Sequence, residues 1–315
     1  MSIERLESSF ELERQRIGRR FSDASATYDS AARLQTMVRN ELLERLPNFK
    51  VAPRRVLDLG AGTGHATLEL KRRYRDALVV GVDLAPGMLR EAGQRLGWRE
   101  RWLGGRLAGR RGSRFERVAG DAYRLPLADH SIDLVFSSLM LQWCDDLGAA
   151  LAEIDRVLEP GGLLLFSSFG PATLQELRAA WAAVDDAPHV NRFLDMHDVG
   201  NALMQAGLEQ PVLDTDTHEL QYNTPLELMR DLQRIGANNV AAGRRRGLTG
   251  RRALAAMTAR YETFRRDGAL PATYEVVYGV AWAAADRNPS TGRAKPDANE
   301  HVVPLSALSR RRVPP

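Results

Sequence analysis

The sequence predicts an α/β protein with a Rossmann-like sheet, a helical lid before the sheet and a helical cap inserted ahead of the last strand. Three observations support this fold: an apolar strand that runs into a glycine-rich turn, an alternation of strand and helix patterns after it, and helical patterns on both sides of it. With 315 residues and 44% hydrophobic side chains, the chain can bury one large core. We expect a lid over residues 1–50, a main domain over 51–285 and a disordered tail over 286–315.

The lid is the first predicted element. Residues 9–46 carry apolar side chains near helical spacing, and Pro47 follows them, so the pattern predicts one helical run that ends there. Tyr28 and Gln35 are seven residues apart, which places them on one face of this helix.

Strand and helix patterns then alternate, which is typical of parallel βαβ units. The predicted strands and helices, in chain order, are strand 54–59, helix 65–73, strand 77–84, helix 86–96, strands 115–119 and 132–137, helix 147–158 and strand 162–168. The Arg-rich residues 97–114 look like a surface loop.

The pattern changes after Gly170. Helices are predicted at 171–184, 196–206, 225–235 and 249–266, with a strand at 210–218 between the second and third and a last strand at 273–284. Because these helices flank the penultimate strand, we expect cap helices at about 171–206 and 224–267 over the mouth of a site.

Composition excludes several classes of protein. Cys144 is the only cysteine, so no internal disulfide can form, and no Cys/His cluster has metal-ligand spacing. The net charge of +4 is accounted for by residues 287–315, so the body of the chain is near neutral. No apolar run is long enough to span a membrane. We expect a cytoplasmic protein that uses no metal and binds neither nucleic acid nor membrane.

The segment VLDLGAGTG is the first that indicates chemistry. Gly60, Gly62 and Gly64 let a ligand approach the backbone, and the helix after them presents free N–H groups. Such a turn also suits NAD(P) or FAD, but His65 stands where the dinucleotide fingerprint has its last glycine. The turn alone therefore indicates a nucleoside cofactor without identifying it.

Two strand-end carboxylates extend this pattern. Asp83 follows the next strand and can accept bonds from ribose hydroxyls, and Asp121 follows the third and can accept from an adenine amino group. The Ala122 N–H would bind the adenine ring, while Leu139 would pack against the base or a sulfonium group. A turn carboxylate is the alternative for Asp121, as it is for Asp133.

In these segments the sequence resembles the class I S-adenosylmethionine-dependent methyltransferases. The motifs DLGAGTG, GVDLAPGML, GDAYRLPLADHSIDLV and RVLEPGGLLLFSS occur in order and at the expected spacing. The resemblance implies a seven-stranded sheet and S-adenosylmethionine as methyl donor. The implied cofactor contacts are Asp58, Gly60, Ala61, Gly62, Gly64, Asp83, Leu84, Asp121, Ala122 and Leu139.

Over residues 16–285 the chain is similar to a narrower family, the malonyl-[acyl-carrier protein] O-methyltransferases of biotin synthesis. The similarity lies in FSDASATYDSAARLQ, WAAVDDAPHVNRFLD, LQRIGANNVAAGR and ATYEVVYGVAWA. It implies methylation of the free carboxyl of a malonyl thioester on carrier protein. That carboxyl is ionised at neutral pH, so no acid or base catalyst is expected.

Two other functions remain open from the sequence. Methyltransferase-fold proteins that assemble a respiratory complex or modify arginine in a partner share SSLMLQW, FGPATLQELR and PATYEVVYG. Methylation of a small free acid would need no carrier protein.

Several residues are candidates for substrate contacts. Arg192 or Arg244 would hold the malonyl carboxylate, with ordinary surface charge as the alternative for each. Tyr28 would close over the methionine end, Trp143 and Phe169 would wall the sulfonium, and Gln142 would orient the acyl group, with core packing as the alternative for the aromatic residues. A basic rim would dock the acidic carrier protein, and its members are Arg244, Arg245, Arg246, Arg251 and Arg252.

Overall fold

The computed structural model describes residues 3–95, 115–187, 189–237 and 250–286, with side chains from residue 14 onward. Within them, seven strands form one sheet in the order β3-β2-β1-β4-β5-β7-β6. β7 is antiparallel to both of its neighbours, and the other described pairs are parallel. The strands are β1 Arg55–Leu59, β2 Leu78–Asp83, β3 Glu116–Ala119, β4 Ile132–Ser138, β5 Leu158–Phe169, β6 Leu208–Tyr222 and β7 Leu270–Ala283. The predicted seven-stranded α/β fold is confirmed.

The central strands have near-continuous apolar sequences because helices cover both faces of a parallel sheet. β1 pairs with β2 on one side and with β4 on the other, so the chain order reverses beside β1. In open parallel sheets, ligands bind outside the carboxyl ends of the strands at such a reversal. The topology therefore predicts a ligand site at the carboxyl ends of β1, β2 and β4.

The predicted helical lid is two helices rather than one run, because Ala32 leaves the helical region with φ −80° and ψ 47°. The break lets the two parts pack on different surfaces: the first contacts a helix beside β2, and the second buries Leu34, Val38 and Leu42 near β4 and β5. The described helices are α1 Ile3–Ala31, α2 Arg33–Arg45, α3 His65–Arg73, α4 Pro86–Gln94, α5 Leu147–Val157, α6 Gln175–Ala182, α7 Met196–Gln205, α8 Pro225–Arg234 and α9 Arg251–Glu262.

α7 has a different position from the one that the sequence predicts. It was expected among the cap helices, whereas Val199 and Leu203 are buried in a cluster with Ile154 of α5, and the helix contacts β6. Its apolar stripe is therefore covered by the sheet layer. β6 is also longer than expected, since it pairs with β7 along almost its whole length.

α8 and α9 lie between β6 and β7 in the chain, as expected for a cap. α8 contacts α1, and the Thr27 hydroxyl of α1 donates to the Arg234 carbonyl of α8 at 3.2 Å. The lid and this part of the cap thus touch each other. The Arg-rich loop 97–114 and the predicted tail beyond residue 286 lie outside the described residues. Of the helices described, none is long and apolar enough to cross a membrane.

Candidate active site

A cavity of ≈ 350 Å³ lies at the carboxyl ends of β1, β2 and β4, between α1 and α8. We call its two parts the strand-end half and the aromatic half. The strand-end half is lined by residues at the ends of β1, β2, β3 and β4, and the aromatic half by rings of β5, β7, α6 and the segment before α7. Predicted site residues that line the cavity are Tyr28, Gly60, Gly62, Asp83, Leu84, Asp121, Ala122, Leu139, Gln142, Trp143 and Phe169.

The glycine turn forms the floor of the strand-end half. The N–H groups of Gly60 and Ala61 both donate to Val82 O of β2, at 2.8 and 3.0 Å, which fixes the turn on the sheet. Gly60 has φ 79°, and a Cβ there would overlap the side chain of Met140. A Cβ at Gly62 would meet nothing nearer than Gly60 O at 4.0 Å. Gly60 therefore gives tight packing, and Gly62 leaves open space on the cavity side.

Asp83 ends β2 beside this turn. Its carboxylate accepts bonds from Gly62 N at 2.8 Å and Ala85 N at 2.7 Å. Burial raises the pKa of Asp83, and the two backbone N–H groups oppose that rise. A carboxylate has more acceptor capacity than these two bonds use, so Asp83 can also accept from ligand hydroxyls.

Asp121 is held from two directions. Its Oδ1 accepts from Tyr123 N at 3.0 Å, and its Oδ2 lies 3.1 Å from Arg14 Nη1 of α1. The Arg14 guanidinium also lies 5.0 Å from the centre of the Tyr123 ring. The lid thus reaches the carboxylate that was predicted to bind adenine.

A second contact joins the lid to the glycine turn. The buried Thr63 hydroxyl donates to Asp29 Oδ1 at 2.7 Å, and Arg95 also pairs with Asp29. Tyr28, one residue earlier, lines the cavity, and burial followed by the charge of Asp83 raises its pKa well above its usual value. Tyr28 therefore remains a neutral phenol and can donate a hydrogen bond.

The aromatic half is lined by rings from separate segments. Phe169 lies 5.5 Å from Phe193 and 5.9 Å from Tyr274 between ring centres. Trp181 stacks on His189 at 3.9 Å with an angle of 7° between the rings. Met229, Leu232 and Ile235 add apolar side chains from the cap.

The sequence pointed to Phe169 as a wall of the sulfonium pocket but did not point to Trp181, Phe193 or Tyr274 as cavity residues. Phe193 directly follows the predicted Arg192, and Tyr274 lies in the long β7 segment, so both stood in quoted motifs. The sequence of either segment does not show which of its side chains faces the cavity.

One of the two candidate cations for the substrate carboxylate lies away from the cavity lining. Arg192 is exposed and does not line the cavity, and its charge, after burial, lowers the pKa of Arg178. Arg244 lies outside the described residues. Among the described residues that line the cavity, the basic side chains are Arg14 and His189, and His189 Nε2 lies 2.8 Å from Asp185 Oδ1.

Three predicted cofactor residues do not line the cavity: Asp58, Ala61 and Gly64. Asp58 is 1% exposed and accepts from Thr67 Oγ1 at 2.5 Å. Burial raises its pKa to about 7, against the effect of the Thr67 hydroxyl. Asp58 therefore supports the turn from behind, and the geometry gives it no direct ligand contact.

Cys144 lines the cavity, and burial, then the charge of Asp121, raises its pKa to about 12. At neutral pH it is a thiol, which is a poor nucleophile. The structure thus provides no activated cysteine at this position.

One group of possible metal ligands lies away from the cavity. Ligand atoms of Glu41, Asp216 and His218 lie within 4.8 Å of one another, and none of these residues lines the cavity. Arg45 and the Tyr278 hydroxyl both bond to Glu41, at 2.7 and 2.8 Å. The expected absence of a metal stays a prediction.

The fold and the site define an S-adenosylmethionine-dependent methyltransferase of class I. Residues 57–166 match the family model of a methyltransferase domain. The YcgJ protein from Bacillus subtilis has a similar fold, with a TM-score of 0.54 at 16% identity over 78% of this chain and 98% of that one.

Relatives with higher sequence identity indicate a narrower family. The malonyl-[acyl-carrier protein] O-methyltransferase of Methylovorus sp. (strain MP688) is 52% identical, over 86% of this chain and 89% of its own length. The protein of that name from Nitrosospira multiformis is 45% identical over 92% and 95%. The chain belongs to the malonyl-[acyl-carrier protein] O-methyltransferase family. These relatives give no support to the assembly-factor alternative.

Proposed function

We propose that this enzyme transfers the methyl group of S-adenosylmethionine to the free carboxyl of a malonyl group on acyl-carrier protein, an early step of biotin synthesis. The observation that carries the proposal is the identity of 52% with a relative of that name across 86% of the chain. The cavity supports it, because one continuous space joins polar strand ends to an apolar chamber. A donor and an acceptor can meet in such a space.

The strand-end half suits the methyl donor. Asp83 would accept from the ribose hydroxyls, Asp121 and the Ala122 N–H would bind adenine, and Leu84 would pack on the base. The open side of Gly62 leaves room for the methionine part, beside Leu139 and Tyr28. Asp58, Ala61 and Gly64 would shape the turn without touching the donor.

S-adenosylmethionine supplies an electrophilic methyl group on its sulfonium. The carboxylate needs no deprotonation before it attacks, so the residues of this chain would position the reactants and exclude water. Trp143 packs edge-to-face on Phe21 of the lid at 5.1 Å, which closes the cavity beside the strand ends. The neutral Tyr28 and Cys144 fit this view, because neither is poised to move a proton.

The aromatic half suits the malonyl end. Its rings would remove water from the carboxylate, which makes that oxygen more reactive toward the methyl group. A cation or a hydrogen-bond donor must hold the carboxylate at the same time, and the candidates are the cations Arg192 and Arg244 and now the imidazole of His189. His189 is favoured by position, since it lines the cavity and is fixed by Trp181 and Asp185.

The carrier protein would dock at a basic rim on the cap. Arg251 and Arg252 begin α9 and are exposed, while Arg244, Arg245 and Arg246 lie outside the described residues. Acidic carrier proteins are attracted by such a surface, and the effect acts mainly on association.

A methyl-transfer assay tests the reaction. With labelled S-adenosylmethionine and malonyl carrier protein, we expect label in a base-labile ester on the carrier protein. Acetyl carrier protein is the matched control, because it lacks the free carboxyl and must remain unlabelled. Absence of labelled malonyl ester from a preparation that binds the donor would contradict the proposal.

A charge reversal tests the rim. Arg245→Glu together with Arg246→Glu should raise KM for malonyl carrier protein and leave turnover of malonyl-coenzyme A unchanged. Arg72→Glu, a reversal at an exposed arginine of α3, serves as the control. Equal losses on both substrates would contradict docking at the rim.

A further inference from the structure

Gln142 holds an unpaired acceptor inside the cavity. It lies in the short 3₁₀ helix Leu141–Trp143 that follows β4, and its Nε2 donates to Leu139 O at 2.6 Å. Its Oε1 is buried and has no hydrogen-bond partner among the described residues. Both Gln142 and Leu139 line the cavity. A buried polar atom without a partner costs free energy, so it calls for a ligand that supplies one.

The orientation of the Gln142 amide is set by Leu139. The Leu139 N–H bonds to the carbonyl and to the hydroxyl of Ser167, each at 3.1 Å, and this holds the Leu139 backbone on β5. The carbonyl oxygen of Leu139, fixed in this way, accepts a hydrogen bond from Gln142 Nε2. If the Gln142 amide were turned over, its Oε1 would lie against that carbonyl oxygen. The oxygen of the amide is therefore the atom left for a ligand.

The ligand group must be a donor. The malonyl group has only acceptor oxygens at neutral pH, so it cannot pair with Oε1. The unpaired oxygen therefore needs a different ligand from the acyl group that the sequence suggested for Gln142, to which only the second N–H of Nε2 could donate. The methyl donor carries ribose hydroxyls, an adenine amine and an ammonium group, and the first two are assigned to Asp83 and Asp121.

The position of Gln142 also favours the ammonium group. Met140, between Leu139 and Gln142 in the chain, packs directly against Gly60, so this segment lies beside the glycine turn. We propose that Gln142 Oε1 accepts a hydrogen bond from the ammonium group of the methyl donor's amino-acid part. The inference rests on the proposed use of S-adenosylmethionine and adds a residue to its binding site.

Binding of three nucleosides to Gln142→Met tests this role. S-adenosylhomocysteine carries the ammonium group, its deaminated analogue lacks that group, and 5′-methylthioadenosine lacks the whole amino-acid part. By calorimetry we expect Gln142→Met to bind S-adenosylhomocysteine roughly 10-fold to 100-fold more weakly, the range of one hydrogen bond to a charged group. The two compounds without the ammonium should bind the variant and the wild type equally.

Gln94→Met is the matched control, since Gln94 is exposed at the end of α4 and outside the cavity lining. It should leave all three affinities unchanged. 5′-Methylthioadenosine also reports folding of the nucleoside site, so a misfolded Gln142 variant is recognised by loss of its binding. In that case the smaller change Gln142→Asn, which keeps the amide but shortens its reach, is measured with the same ligands, and S-adenosylhomocysteine alone must lose affinity.

Two results would overturn the assignment. One is an equal loss for S-adenosylhomocysteine and its deaminated analogue, and the other is unchanged binding of both with a higher KM for malonyl carrier protein. Failure of the proposed function gives a different result, because the wild type would then bind none of the three nucleosides or would bind them without transferring methyl to malonyl carrier protein.

Discussion

The two halves of the cavity are built by different parts of the fold. The strand-end half takes its polar groups from the turns after β1, β2 and β3, where backbone hydrogen bonds fix each group on the sheet. The aromatic half takes rings from β5, β7, α6 and the segment before α7, which are held by packing on one another.

This difference separates the expected consequences of mutation into two kinds. A change in the strand-end half disturbs a backbone-fixed geometry and should act on donor binding. A change in the aromatic half removes one ring from a packed wall and should act on the acceptor.

Gly60→Ala should have the largest effect. The residue has φ 79°, and its new Cβ would overlap Met140, so both the turn and the wall beside it must shift. We expect donor affinity to fall by about 100-fold. Gly161→Ala is the control, since Gly161 has φ 73° with nothing within 4 Å of an added Cβ.

Both glycine variants should lose about 1 kcal/mol of unfolding free energy from backbone strain, measured by denaturant unfolding, and Gly60→Ala should lose more because its Cβ overlaps Met140. Only Gly60→Ala should lose donor binding, measured by calorimetry. Equal donor affinities in the two variants would show that the turn tolerates rearrangement, and the proposed rigidity of the strand-end half would be wrong.

Asp83→Asn should have the second-largest effect on donor affinity. The change removes the charge and leaves an amide where a carboxylate accepts from Gly62 N and Ala85 N, so the acceptor for the ribose hydroxyls is weakened. We expect donor affinity to fall roughly 30-fold. The control is Asp133→Asn, because Asp133 also accepts two backbone N–H groups, from Arg54 and Arg55, but does not line the cavity.

The Asp133 variant should be destabilised and still bind the donor normally. A parallel loss of binding in both variants would mean that Asp83 acts only through folding. Equilibrium dialysis with labelled S-adenosylmethionine, beside a thermal melt of each variant, separates these outcomes.

The same contrast explains what the sequence could predict. The individual strands and the positions of Gly62, Asp83 and Asp121 follow from local patterns, because a strand end, a turn and a charged residue are adjacent in the chain, and the seven-stranded sheet follows from the family resemblance. The aromatic half is assembled from segments far apart in sequence. Whether Arg192 or its neighbour Phe193 faces inward depends on packing that no local pattern records.

The lid shows the same limit. A helical pattern over residues 9–46 was correct in kind, yet the break at Ala32 has no proline or glycine to mark it. The break at Ala32 allows α1 and α2 to pack on different surfaces. The role proposed for Gln142 likewise depends on the structure, because the sequence does not show that Nε2 is paired and Oε1 is not.

Phe193→Ala tests the aromatic half. Loss of its edge-to-face contact with Phe169 and of the wall area should raise KM for malonyl carrier protein about 10-fold, with donor affinity unchanged. Phe49→Ala is the control, since Phe49 makes a similar contact with Trp282, at 5.9 Å, outside the cavity lining. A fall in donor affinity for Phe193→Ala would mean that the two halves are not separable.

Thr63→Val should have the smallest effect, because it removes one hydrogen bond between the glycine turn and the lid. The Thr63 hydroxyl donates to Asp29 at 2.7 Å, and valine keeps the shape while leaving Asp29 to Arg95 and His65. If the lid helps to retain the donor, its dissociation should speed up about 3-fold, measured by stopped-flow fluorescence. Thr27→Val removes a lid hydroxyl that bonds to α8 instead and should leave that rate unchanged. Equal rates in the wild type and in Thr63→Val would assign the retention of the donor to the strand ends alone, which would make the contrast between the two halves sharper still.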